Sequence, residues 1–464
     1  MLLFVCSSVW AQPPATYSRY FTDKTMRVDY FHTGTAKDEY FSLDQAYEEA
    51  LWPGSKINLL DTLNLGEYLL KVFDLKSNQL IFSRGYATVF GEWQTTEEAL
   101  NGTFRTFHET LRFPFPKRPV QVVVAARNQK NIFIDKFSTV VEPDSRFVNR
   151  EQKKSPFAIK PFLKNGEPEK KVDLLIIGDG YTQEELAKFR SDVNRYTQTL
   201  FKNQPFKERE SDFNVWMIEA ISQESGIDDP RENKWRQTAL DASYNAFDSQ
   251  RYVLTFSNKE VRNLSAIAPY DYIYILVNTK RYGGGGIFNS FATCYTGSQN
   301  SDPDWWSDYV FVHEFGHLFA GLADEYYTSD VSYLEFYPKN VEPWEPNITR
   351  LLDVKHPKWA EWIKPDTQIP TSWSKAEYDS LNAVLRKLSQ NDPKDKEKSE
   401  QIRKQVQKLL SLRANLVGCF EGAGYASKGI YRPAIDCKMF SKTVGPFCPV
   451  CEKAIERMID FHTH

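Results

Sequence analysis

The chain is sparing with the side chains that do most metal and redox chemistry. Its 464 residues hold seven histidines, six cysteines and five methionines. So few cysteines over this length exclude a small disulfide-stapled scaffold, and the fold must rest on apolar cores, for which there is ample chain. No apolar run approaches the ~20 residues that span a bilayer, so no membrane span is expected. Charge of one sign is missing too. Lys plus Arg number 58 against 61 for Asp plus Glu, a formal net charge of −3. That leaves no basic field, and nucleic acid is not an expected partner. There are no internal repeats and no low-complexity tract. Aromatic side chains are plentiful at 14%, which suits a β-rich portion.

Leu2 to Trp10 is a short apolar run, and Val9-Trp10-Ala11 offers signal-peptidase positions. Residues 1–11 are read as a signal peptide, although no Lys or Arg precedes the run. The mature chain would begin at Gln12 and be exported, to the periplasm, the cell surface or the medium. Residues 17–145 read as an antiparallel β-sandwich. Tyr68 to Leu75 and Leu80 to Phe90 flank the turn Lys76-Ser77-Asn78-Gln79, and Val120 to Ala126 with Ile132 to Val141 repeat the pattern. Residues 146–171, polar and carrying Pro156, Pro161 and Pro168, read as a linker.

A second domain, 172–464, opens on Val172-Asp173-Leu174-Leu175-Ile176-Ile177, a run suited to a strand buried on both faces. Thr182 and Glu185 form a capping box for a helix reaching about Lys202. Further strands are expected at Phe213 to Ile221 and Tyr272 to Val277. The run Gly283-Gly284-Gly285-Gly286 with Ile287 to Tyr295 reads as a sheet edge above a cleft, where an extended peptide could add as a strand, or else as a flexible loop. Residues 375–416, apolar-periodic and highly charged, read as an inserted helical hairpin broken at Asn391-Asp392-Pro393. The expected fold class is α+β: the sandwich, then a zincin-like α/β domain with a helical insertion.

The chemistry concentrates in His313-Glu314-Phe315-Gly316-His317. Residues four apart stack on one helix face, so His313 and His317 can reach a single ion, with Glu314 beside them. The plainer alternative is a structural helix with two partnered histidines. A hydrolytic zinc (Zn2+) keeps three protein ligands and one open position. Only His356, His462 and His464 follow the motif, all far along the chain, so the third ligand is expected to be a carboxylate. Gly321 can end the helix in the left-handed conformation and turn the chain back. Asp324, seven residues past His317, is the leading third ligand, and Glu325 is the alternative.

The full pattern, from His313 and His317 through Gly321 and Leu322 to Asp324-Glu325-Tyr326, resembles the IgA-peptidase family of metzincin-like zinc metallopeptidases. Relative to ordinary metzincins, Ala320 stands where their glycine would be and Gly321 comes one residue later. The stretches VDLLIIGDGYT from Val172, SDFNVWMIEAISQESGID from Ser211, and Phe420 to Ile455 support the likeness. The resemblance implies a protein or peptide substrate, immunoglobulin for some members. It implies Glu314 as general base on zinc-bound water, and Met439 as the methionine packed beneath the metal. Tyr431 is a candidate catalytic residue for stabilising an oxyanion, with a core tyrosine as the alternative.

Cys419, Cys437, Cys448 and Cys451 lie within 33 residues. In an exported chain disulfides lead, followed by buried thiols, a structural metal site or a redox C-x-x-C. Two rival functions stand beside the peptidase: a metal-dependent amidase on cell-wall peptides, and an adhesion or binding protein whose metal site is inactive.

Overall fold

The computed structural model describes residues 16–151, 156–297, 305–328, 336–389, 392–412, 416–441 and 445–464. The expected signal peptide lies outside them. Among the described residues no helix is long and apolar enough to cross a membrane.

The N-terminal region is strand-rich. Its strands are β1 (Phe21–Gly34), β2 (Glu39–Leu51), β3 (Tyr68–Asp74), β4 (Gln79–Tyr86), β5 (Arg105–Pro116), β6 (Val120–Arg127), β7 (Phe133–Val141) and β8 (Val148–Asn149). They form two four-stranded sheets, ordered β5-β1-β2-β8 and β4-β3-β6-β7. β3 buries every second residue, the period-2 pattern of a strand with one face on a core. Inward residues of both sheets, among them Val28, Leu111, Val72 and Val122, share one apolar cluster. Both hairpins read from the sequence are present, β3–β4 and β6–β7. Pairing is antiparallel except at β8, which runs parallel to β2 over two residues.

The second region is built on a six-stranded mixed sheet. It contains β9 (Ile159–Leu163), β10 (Val172–Asp179), β11 (Phe213–Ile218), β12 (Tyr272–Val277), β13 (Gly284–Ile287) and β14 (Phe291–Tyr295), ordered β13-β14-β12-β10-β11-β9. β10, β11, β12 and β14 run parallel, and β9 and β13 are antiparallel edges. β10 and β12 are buried at every position, as expected of central strands covered on both faces. The stretch read as a linker instead carries β8 on one sheet and β9 on another. A short, half-exposed edge strand containing Pro161 has the composition of a linker, because an edge tolerates proline where a central strand does not.

Five helices of more than ten residues are described. They are α1 (Leu186–Leu200), α2 (Trp305–Ala320), α3 (Lys375–Leu385), α4 (Pro393–Ser411) and α5 (Pro449–Thr463). The Thr182–Glu185 capping box precedes α1. α2 is apolar almost all round, and from Tyr309 to Ala320 most of its residues are buried. The Phe311 ring stacks between Tyr196 of α1 and Tyr274 of β12, at centroid distances of 5.0 and 4.2 Å. α3 and α4 lie in the segment read as a helical hairpin and contact each other. β15 (Phe420–Ala423) and β16 (Ala426–Arg432) pair as a separate ribbon.

The two regions are knit together. Ala87, Phe90, Trp93 and Phe107 belong to the same apolar cluster as the central sheet. Arg112 donates to the Tyr270 carbonyl at 2.9 Å, and the Ala87 amide donates to the Phe288 carbonyl at 3.0 Å.

Candidate metal centre

Glycine lets α2 lie directly on the sheet edge. A Cβ on Gly286 would sit 2.5 Å from the Glu314 carbonyl oxygen and 3.1 Å from the His317 Cβ. On Gly284 it would meet the Val310 side chain at 2.8 Å and Glu314 Cγ at 3.3 Å. The run of glycines is thus a close-packing device. β13 is an edge strand, as one of the two sequence readings had it, with Tyr252 bridging to it at Gly284.

α2 ends at Ala320. Gly321 follows with φ +59° and donates its amide to the His317 carbonyl at 3.1 Å, a left-handed helix cap. The cap reverses the chain and brings Asp324 back over the helix. Asp324 Oδ1 lies 2.9 Å from His313 Nε2 and 3.3 Å from His317 Nε2, and the two Nε2 atoms are 3.2 Å apart. Zinc–nitrogen and zinc–oxygen bonds of ~2.0–2.1 Å at tetrahedral angles give ligand–ligand edges of roughly 3.3 Å. The triangle has the size of one face of such a tetrahedron.

Protonation points the same way. His313 Nδ1 lies 3.1 Å from the Lys438 carbonyl, and His317 Nδ1 faces the Leu322 carbonyl. A carbonyl only accepts, so both Nδ1 atoms carry the hydrogen. With Nδ1 committed in this way, each Nε2 is the atom turned toward the other ring and the Asp324 carboxylate, an arrangement suited to a bound cation. Tyr309 supports the first ring, its hydroxyl 3.1 Å from His313 Nδ1 and donating to the Lys438 carbonyl at 3.1 Å. Tyr425 donates to Asp324 Oδ2 at 2.6 Å, leaving Oδ1 for the histidines. Burial works against ionised Asp324, but His317 and His313 prevail and hold its carboxyl well below the usual range. For His317 burial is outweighed by Asp324, and the imidazole rises to about 9. Burial pushes the Glu314 carboxyl up, against the opposing pull of His313 and His317.

The three residues and Glu314 line a cavity of about 1330 Å³. Its walls come from β13, from Glu67 and Glu92 of the N-terminal region, and from the helical hairpin through Asn382, Arg403 and Leu410. Met439 is fully buried beneath α2, and a Cβ on Gly316 would lie 3.1 Å from its sulfur. The Met439 sulfur thus packs against the turn between the two histidines.

Two expected residues stand elsewhere. Tyr431 sits on β16, where its backbone bridges Thr349, and it does not line the cavity. The Glu325 carboxylate faces Asn347 and Cys451 rather than the histidines. The cysteines also differ from the leading expectation. Cys294, Cys419, Cys437, Cys448 and Cys451 are buried, with no disulfide among them. Three residues that sequence reasoning passed over meet the site: Tyr425, Tyr309 and Arg251, whose guanidinium lies 3.3 Å from the Tyr326 hydroxyl. Tyr309 has a legible signal, one helical turn before His313. Tyr425 and Arg251 have none, since each reaches the site from a distant loop.

The motif helix, the half-buried glutamate and the convergent donor set define a class first: a protein whose donor atoms are arranged as for a divalent cation, in a large cleft beside a carboxylate. Comparison with protein families makes this particular. Residues 161–459 match the family described as IgA Peptidase M64, and residues 16–138 match the Peptidase M64 N-terminus. The chain belongs to the M64 family of IgA peptidases, a family of metallopeptidases. No curated protein matches it.

Proposed function

We propose that the protein is a zinc-dependent endopeptidase acting on exposed stretches of protein substrates, with His313, His317 and Asp324 holding the ion. The observation that carries this reading is the convergence of His313 Nε2, His317 Nε2 and Asp324 Oδ1 within 3.3 Å of one another on the wall of a large cleft. Zinc, when bound, polarises the scissile carbonyl and acidifies water. Glu314, lining the same cavity one residue from His313, would take the proton from the attacking water and return it to the leaving nitrogen. The substrate would lie extended beside the open part of β13 near Gly286, held through backbone hydrogen bonds.

Tyr326 and Arg251, both lining the cavity, are better located than Tyr431 to meet charge developing on the carbonyl oxygen. The family's name makes immunoglobulin the first folded substrate to try. The apolar Leu2 to Trp10 segment supports export, which cell fractionation tests.

Glu314→Gln keeps the side-chain volume and removes the base. It should retain the zinc content of the parent while cleavage of an unfolded protein pool falls by roughly 10²–10⁴-fold. Equal rates in variant and parent would refute the assignment. Cleavage confined to cell-wall peptides would favour the amidase, and no chelator-sensitive cleavage of any pool would favour a binding protein.

A further inference from the structure

A second set of donor atoms lies beyond the cleft site, on the far side of the chain that carries Asp324. Glu325, Cys437, Cys448 and Cys451 each offer a ligand atom, all within 4.8 Å of one another, and all four residues are buried. From this geometry we propose a second, structural zinc site with a Cys3Glu ligand set.

Distances separate the readings. Cys437 Sγ and Cys451 Sγ are 3.7 Å apart. A disulfide requires about 2.05 Å, whereas zinc–sulfur bonds of ~2.3 Å at tetrahedral angles set the sulfurs roughly 3.8 Å apart. Cys451 Sγ lies 3.2 Å from Glu325 Oε1, against an expected sulfur–oxygen edge of roughly 3.5 Å. Backbone donors also converge on one of the sulfurs. The Cys448 amide points at Cys437 Sγ from 3.2 Å and the Met439 amide from 3.5 Å, two donors on an atom that is a poor acceptor as a thiol.

Glu325 is the independent sign that a cation belongs here. It is wholly buried, Asn347 Nδ2 orients its Oε1 at 2.9 Å, and its Oε2 has no hydrogen-bond partner among the described residues. A buried carboxylate left half-satisfied is costly unless a positive charge meets it, and the nearby Arg432 guanidinium, which acts on Glu325 through space, directs its donors at the Gly422 and Ile435 carbonyls. Three thiolates and one carboxylate around zinc carry the same formal charge as an all-cysteine site, a common structural set. Loading forms three zinc–sulfur bonds and one zinc–oxygen bond, and each ligand atom that carries a proton in the empty site releases it to solvent. Soft thiolate ligands in a tetrahedral frame favour zinc over magnesium or calcium.

The location suggests a purpose. Glu325 directly follows Asp324. Cys437 directly precedes Lys438, whose carbonyl meets His313 Nδ1, and Met439 comes next. Cys448 and Cys451 bracket the first turn of α5. Zinc here would fasten the third-ligand segment, the methionine turn and the last helix to one point beneath the cleft.

The test uses the full chain and a variant that leaves the cluster untouched. Zinc per chain is measured by mass spectrometry of the purified parent and of the His313→Ala/His317→Ala variant, with circular dichroism to show that both are folded. The parent should hold two zinc ions and the variant one. X-ray absorption of the variant should show three sulfur neighbours near 2.3 Å. A sulfur-bound zinc in the variant with only one zinc in the parent would support the cluster and count against the histidine site. A folded variant without zinc, a shell of nitrogen and oxygen only, or iron in place of zinc would overturn the proposal. So would an intact denatured mass 2 Da below the all-thiol value, which marks a disulfide.

Discussion

Tyr425→Phe removes one hydroxyl and leaves the ring and backbone in place. That hydroxyl donates to Asp324 Oδ2 at 2.6 Å, a short bond to a buried carboxylate. Bonds to charged groups contribute about 1.5–3 kcal/mol, and each 1.4 kcal/mol is about tenfold in affinity. Part of that energy is present with or without the ion. What is specific to binding is that the bond commits Oδ2 to Tyr425 and so aims Oδ1 at the histidines. Partners of this kind behind a metal ligand are worth about 10–100-fold in affinity, which the bond energy can supply. The expected result is a rightward shift of about 10–100-fold in the free zinc concentration that restores peptidase activity to chelator-stripped protein. The substitution leaves the cysteine cluster untouched, so any dependence of activity on that cluster is shared by parent and variant, and the difference between their midpoints reports on the histidine site. Tyr337→Phe is the control: its ring stacks on Tyr425 but its hydroxyl serves Glu345. A midpoint for Tyr425→Phe within twofold of the parent, or no different from the control, would show that this hydroxyl does not position Asp324.

Gly286→Ala puts a methyl 2.5 Å from the Glu314 carbonyl. It should cost about 1–3 kcal/mol by overpacking, with activity falling more than stability; normal turnover by a folded variant would show that β13 need not lie so close to α2. Glu109 supplies a pH test on the N-terminal sheet, away from both proposed metal sites. Its buried carboxyl is pushed up to about 8 from an ordinary 4.5. Between those values the folded chain keeps a proton that the unfolded chain has lost, so its contribution to stability falls as pH rises, by about 1.4 kcal/mol per unit. Glu109→Gln still accepts from the Phe90 amide, now 3.2 Å from the carboxylate, and should remove that slope; parallel plots of denaturation midpoint against pH for parent and variant would contradict it. Stripping divalent metal should lower the unfolding temperature and zinc should restore it, the gain being about 2.7 kcal/mol at a hundred times the Kd. An unchanged temperature would mean that no folded-state site binds zinc.

What was legible in the sequence had a local cause. Val172 to Ile177 and Tyr272 to Val277 are strands because only a doubly covered strand needs unbroken apolar residues. Gly321 ends α2 because a turn of that hand favours glycine, and the two histidines share a face by helical spacing alone. Strands β8 and β9 were not legible, since an edge strand half in water has the composition of a linker. Tyr425 was hidden for another reason. It meets Asp324 across 101 residues of chain, from a glycine-flanked position with φ +63° that nothing in its type announces. Tyr431 drew attention through the motif around it, but the register of β15 against β16 turns that position toward Thr349.

Asp324 and Glu325 were interchangeable by spacing, and the backbone between them explains why they part. The Asp324 and Tyr326 carbonyls accept from the amides of Gly424 and Tyr425, while the Glu325 amide donates to the Met439 carbonyl at 2.9 Å. Hydrogen bonds that alternate sides in this way are those of an extended strand, in which successive side chains point to opposite faces. One carboxylate is therefore delivered to the histidines and its neighbour to the cysteines. A one-residue slip of this segment would exchange them, sending Glu325 to the cleft and leaving a shorter aspartate before the sulfurs. The strict pairing with Gly424, Tyr425 and Met439 guards against that slip. Deleting Ala323 should accordingly abolish binding at both sites together, read as zinc per chain, and a deletion variant that kept either ion would show that the register is not what separates the two carboxylates.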